Sequence, residues 1–205
     1  EYQNGSEKSE SELVSNQSRI GFKGHWEFTN ELIALYQLEY EVDPVDGTAD
    51  ENRGRTLKQR NSFVGLKSSY GTLFLVKHDT ALKKSQAKID LFNDLAGDIT
   101  NVFQGENRMK DFVGFTTKTS EKGFSATLNT IKGSGELEKN KIGDYLSYSL
   151  NYKRNNFYAA IAIDSEAKGY DSVRYSIQIP KDKYQFGLIY QESQEISTNK
   201  TEDGF

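Results

Sequence analysis

Asp90, Asp94 and Asp98 are the residues whose type and spacing most suggest a task. They fall at i, i+4 and i+8, in a stretch where Ile89, Phe92, Leu95, Ile99 and Val102 recur at three- and four-residue intervals. That is the period of one or two helical turns with an apolar side. On such a helix the aspartates share one face, and like charges stacked there disfavour an isolated helix by a few tenths of a kcal/mol per pair. Cations facing them from another element would offset that cost. The plainer alternative is a solvated loop face.

Other groups that ordinarily do chemistry are scarce. The chain has no Cys, which excludes a thiolate metal site, a cysteine nucleophile and a disulfide framework. His25 and His78 are its two histidines, and neither lies in an HExxH pattern, a triad order or a Gly-x-Ser-x-Gly elbow. Gly133-Ser134-Gly135-Glu136 reads as a loop, because no strand–glycine loop–helix succession surrounds it. No catalytic residue, cofactor or metal is expected, and the chain reads as a non-enzyme.

Charge and composition narrow the class. Lys and Arg number 26 against 30 Asp and Glu, a formal net charge of −4, so no nucleic-acid partner is expected. Hydrophobic residues make up only 35% and the mean hydropathy is −0.73, yet 12 Tyr and 12 Phe give an aromatic content that disordered chains lack. No window approaches the ~18–20 apolar residues of a spanning helix, and Glu1-Tyr2-Gln3-Asn4-Gly5 does not read as a signal peptide.

The elements that must position the aspartates announce themselves by period two. Leu32, Ala34, Tyr36, Leu38, Tyr40 and Val42 take every second place, with Gln37, Glu39 and Glu41 between them. Leu146 to Tyr152, Val173 to Ile179 and Tyr184 to Tyr190 repeat the pattern. Shorter examples are Ile20/Phe22, Val64/Leu66, Leu73/Leu75, Val113/Phe115, Phe124/Ala126/Leu128 and Phe157 to Ile163. About ten strands follow from this alternation. Short polar links at 67–71, 120–123, 153–156 and 180–183 predict hairpin turns, and longer polar stretches at 43–57, 80–107, 132–144 and 164–171 predict loops. Residues 192–205 read as loop. Short turns at one end and long loops at the other is the asymmetry of a transmembrane β-barrel, where Tyr and Phe serve as interfacial girdles. A soluble β-sandwich, whose strands also alternate, is the alternative.

Ser18-Arg19-Ile20-Gly21-Phe22-Lys23-Gly24, the strand ending Tyr36-Gln37-Leu38-Glu39, then Arg60-Asn61-Ser62-Phe63-Val64-Gly65-Leu66-Lys67 and Tyr70-Gly71-Thr72-Leu73 resemble the trimeric general-diffusion porins of Gram-negative outer membranes. The similarity runs from about Ser18 to Tyr190. It implies an all-β transmembrane antiparallel barrel, with sixteen strands in the full protein and about ten in this chain. Residues 1–205 would then be a single, incomplete barrel, with 80–106 as a constriction loop folded inward. The resemblance further implies a passive diffusion channel for small hydrophilic solutes and ions, integral to the outer membrane, in contact with its lipid and assembled as a homotrimer. The alternatives are a soluble or surface sandwich binding carbohydrate or a host ligand, and a barrel serving mainly as an adhesin or partner receptor.

Arginines on the wall facing the constriction match Arg19, Arg60 and Arg108 here, opposite Asp90, Asp94 and Asp98. Carboxylates facing guanidiniums across a narrow aqueous gap make a transverse field that orients dipolar solutes, while pore width sets the size limit. Arg19 lies on the face opposite Ile20 and Phe22. Arg60 shares the parity of Val64 and Leu66, so its inward placement requires a bulge or an early strand start. The Pro-Glu-Phe-Gly-Gly turn of some porin loops is absent, which leaves the identity of the constriction carboxylates open.

Overall fold

In the computed structural model, which describes residues 13, 15–49, 54–133 and 141–205, the period-two segments form one antiparallel meander. The strands are β1 (Arg19–Thr29), β2 (Leu32–Val42), β3 (Leu57–Lys67), β4 (Gly71–Asp79), β5 (Arg108–Thr117), β6 (Phe124–Lys132), β7 (Ile142–Arg154), β8 (Phe157–Ala167), β9 (Tyr170–Lys181), β10 (Tyr184–Glu195) and β11 (Thr201–Gly204). Order in the sheet equals order in the chain, and among the described residues β1 and β11 do not pair with each other, so the sheet stays open. Every expected strand is present. The Gly133–Glu136 loop falls largely outside the described residues.

Turn chemistry explains the short-turn end. Asn155 and Asn156, between β7 and β8, both adopt positive φ (49° and 67°), as a two-residue turn matching strand twist requires. Two expectations are corrected. The loop expected over 164–171 is a tight hairpin, with β8 and β9 running to Ala167 and from Tyr170. Residues 192–205 are not a loop either: β10 runs to Glu195, and Gln191 to Gln194 pair with Gly204 to Thr201. Four polar residues are too short to display a period, but a free strand edge offers their backbone a ladder all the same.

The two faces of the sheet invert the usual distribution. Phe22 is 73% exposed, Leu188 56% and Leu150 51%, whereas Ser147 and Arg174 are fully buried and Asn129 is 2% exposed. Water-soluble domains rarely bury serine rows while exposing leucine rows; an outer face in hydrocarbon and a polar inner face demand it. Among the described residues no second sheet covers the apolar face, which removes the sandwich. Outward rings gather at the short-turn rim, where Phe124, Tyr152 and Phe157 sit in a row with centroids 4.9 and 6.0 Å apart. Ring rows of this kind mark a lipid–water boundary.

One apolar packet does lie on the inner side. Met109, Phe112, Ile131 and Tyr145 pack with Phe74, and His78 lies among Phe63, Phe74 and Phe112 at 4.9–5.8 Å. The connection between β4 and β5 runs across this inner side, opening with helix α1 (Ala81–Lys84), whose Ala81 and Leu82 are buried.

Candidate functional site

The 80–107 segment is tied to the inner face from its first residue. Thr80 caps α1 by accepting from the Lys83 amide, and Leu82 N donates to Ser147 Oγ of β7 (3.2 Å). Tyr158 of β8 donates its hydroxyl to Ser85 O (2.9 Å). Further along, Gln185 Nε2 of β10 donates to Lys88 O (2.6 Å), and Ile89 seats on Gly187, where a Cβ would come within 2.7 Å of it. Ser147, Tyr158 and Gln185 thus serve as partners for loop backbone that would otherwise go unpaired.

The helix expected to present Asp90, Asp94 and Asp98 is absent: the segment is a chain of turns ending in a 3-10 turn over Ile99–Asn101. The aspartates themselves are the reason. Asp90 accepts from Phe92 N (2.9 Å) and Ile99 N (3.5 Å), while Asp98 accepts from Asp94 N (2.6 Å), Thr100 N (2.7 Å) and the Thr100 hydroxyl. Short carboxylates capturing nearby amides compete with helical bonding, and Asp94 takes φ of +66°. The expected apolar helix side does not form: Phe92, Leu95 and Val102 are exposed, and only Ile89, seated on Gly187, and the buried Ile99 turn to the protein. Desolvation pushes the Asp98 carboxyl upward, but the bonds from Thr100 and Asp94, helped by Lys83, hold it below the usual carboxylate value.

Asp94 is the aspartate that reaches the wall, pairing with Arg19 of β1. Arg60 points inward despite its parity because of a bulge: between the pairs Leu38↔Ser62 and Tyr40↔Gln59, β2 contributes one residue, Glu39, and β3 two, Arg60 and Asn61. The extra residue re-aims the side chain. Arg60 Nη1 donates to Glu41 Oε2 (2.8 Å) and its Nε to Glu39 Oε1 (3.2 Å). Arg108 Nε lies 3.0 Å from both Asn61 Oδ1 and Asp79 Oδ1. All six residues singled out in the sequence line one cleft of about 710 Å³, together with Glu39, Asp79, Lys83, Lys88 and Glu106. A second cleft of about 630 Å³ lies toward the short turns, lined by Lys67, Lys84 and Lys118. Lys83 faces the first and Lys84 the second, so α1 stands at the divide. The Lys84 ammonium rides 5.4 Å from the centre of the Phe74 ring.

The base of the loop is held by a residue that no sequence pattern marks. Arg174 of β9 is fully buried; its Nε donates to Gln191 Oε1 (2.6 Å), Nη1 to Glu106 Oε1 (2.7 Å) and Leu82 O (3.5 Å), and Nη2 to Gln104 O (3.3 Å). Burial raises the Glu106 carboxyl, with Arg174 acting in the opposite sense. Nothing local marks Arg174, which alternates with Val173 and Tyr175 like any inward polar residue.

The family model for the Gram-negative porins matches residues 1–205. This chain belongs to that family. The porin is 27% identical over 173 residues to the major outer membrane protein P.IB of Neisseria gonorrhoeae, covering 82% of this chain and 47% of that protein. It is 39% identical over 83 residues to the Neisseria sicca protein of the same name, covering 40% and 22%. Among solved structures it resembles OmpF of Salmonella typhi in complex with daunomycin (TM-score 0.69) and an anion-selective porin from Comamonas acidovorans (TM-score 0.63). In both cases 91% of this chain and 61% of the other are covered at 15% identity. The chain spans about half the length of the gonococcal relative, and the two structures carry the fold alone. Family and relatives place the porin in the outer membrane as an integral protein.

Proposed function

We propose that this porin is a passive diffusion channel for small hydrophilic solutes and ions, with residues 80–106 as its constriction loop and Arg19, Arg60, Arg108, Asp90, Asp94 and Asp98 around its narrowest part. Residues 1–205 are one unit of an incomplete barrel in this reading. Bilayer lipid meets the apolar outer face, and the assembly is a homotrimer, as in the porins it resembles. No chemical step is involved.

The observation that carries the reading is the loop lying on the polar face of the sheet and dividing two clefts, one of them lined by charges of both signs. The aspartates divide their labour: Asp94 faces the wall, while Asp90 and Asp98 hold its turn in shape. Arg19 and Asp94 create a transverse field, and the low-dielectric wall behind them concentrates it. A dipolar solute entering such a field turns to align with it, and an apolar one must shed water against fixed charges. Six carboxylates (Glu39, Asp79, Asp90, Asp94, Asp98 and Glu106) line the cleft against five cations (Arg19, Arg60, Lys83, Lys88 and Arg108), so the expected selectivity is a weak preference for cations.

The full-length porin in planar bilayers should give nanosiemens-scale steps and a zero-current potential displaced slightly toward cations. A silent bilayer with folded, heat-modifiable protein would refute the channel.

A further inference from the structure

We infer that Arg174 is the positioning residue that fixes how far the 80–106 loop projects into the lumen, and hence the width and steadiness of the pore; this rests on the channel reading above. The guanidinium joins three parts of the chain at once. Leu82 O belongs to the outgoing limb of the loop, Gln104 O and Glu106 Oε1 to the returning limb, and Gln191 Oε1 to β10. Gln191 adds a second link, donating from Nε2 to Gln104 O (2.7 Å). The limbs also meet directly: Gly105, at φ +89°, lets Leu82 Cδ2 approach to 2.5 Å of the place a Cβ would occupy.

A planar fork of fixed donors serves several acceptors in set directions, which a compact ammonium does not. The contrast with the loop tip decides which contact governs position. Arg19 is 35% exposed and Asp94 20%, against 0% and 4% for Arg174 and Glu106. An exposed ion pair contributes little and exchanges with water, whereas a buried, multiply bonded one is retained or lost as a unit. Loosening the base frees the returning limb and leaves the outgoing limb on its single bonds to Ser147, Tyr158 and Gln185, so the tip gains freedom.

The test uses Arg174→Lys, which keeps the charge but loses the fork, and the double variant Arg174→Met/Glu106→Gln, which removes the clamp without leaving a buried charge unpaired. Each is made in the full-length porin and, because this sequence lacks cysteine, also with Ala96→Cys for a nitroxide label on the exposed loop. Both variants should keep heat-modifiable mobility, raise open-channel noise by roughly twofold or more and admit larger sugars in liposome swelling. The label should gain a mobile spectral component, whereas Arg19→Ala should leave the spectrum close to wild type. Wild-type noise and an unchanged label spectrum in either folded variant would overturn the inference. A silent wild-type channel would sink the channel reading instead, and the label spectra would still decide whether Arg174 holds the loop.

Discussion

The loop is held at its tip and at its base by an arginine and a carboxylate, and the two pairs behave as different devices. At the tip, Arg19 and Asp94 meet in an open cleft, each partly exposed. At the base, Arg174 is fully buried among Gln191, Gln104 and Leu82, and Glu106 is almost wholly buried at the edge of the cleft. The same chemistry gives a field at one end and a fixture at the other. Solvent decides the difference: water screens the exposed tip pair, while its exclusion from the base makes each unmade bond costly.

The largest effect is expected from breaking the base on one side only. Arg174→Leu leaves the buried Glu106 with only Lys83, 3.8 Å away, as a cation partner, a loss of about 3 kcal/mol, read as a lower temperature for the heat-modified mobility shift. Arg19→Ala should change that temperature little, since an exposed pair contributes ~1 kcal/mol or less. Equal shifts from the two variants would mean that tip and base hold the loop alike.

Charge at the tip should appear in permeation. Replacing Asp90, Asp94 and Asp98 together by Asn should move the zero-current potential toward anions by an appreciable fraction of the ~59 mV that a tenfold gradient gives for ideal monovalent selectivity. Arg19→Ala should move it the other way and raise conductance. No movement after the triple replacement would mean that these carboxylates face bulk water.

The smallest effect separates the two ends by pH. Asp98 is held below its ordinary value by the Thr100 and Asp94 bonds, so its support for the turn is complete above the usual carboxylate range, ~3.9, and is lost as pH falls through its lowered value. Glu106 is shifted upward by burial, opposed by Arg174 and Lys83 and reinforced by Asp79. Its ionisation therefore costs the fold more as pH rises past the ordinary glutamate value. Acidification should mobilise an Ala96→Cys label at the tip, and Asp98→Asn should abolish that response.

What the sequence discloses follows the same boundary between local and distant. Ten strands are legible because each has an apolar outer face and a polar inner face, so the period is written into residues such as Leu146, Tyr148 and Leu150. β11 is too short and polar to show it. The spacing of Ile89, Phe92 and Leu95 imitates a helix, but Asp90 and Asp98 cap their own backbone, a preference that hydrophobic period does not register. Arg60 signals its bulge through conflicting parity. Arg174 gives no signal, because Glu106 lies 68 positions away and only the folded loop brings the two together.

The central claim is that the charged cleft beneath the loop is the conduction path. The direct measurement is single-channel recording of the full-length porin bearing Asn93→Cys, in the cleft, beside Phe22→Cys on the outer face, each exposed to a cationic thiol reagent. Conductance should fall in discrete steps at Asn93→Cys and stay constant at Phe22→Cys. Unaltered conductance with a fully modified Asn93→Cys protein would contradict the account.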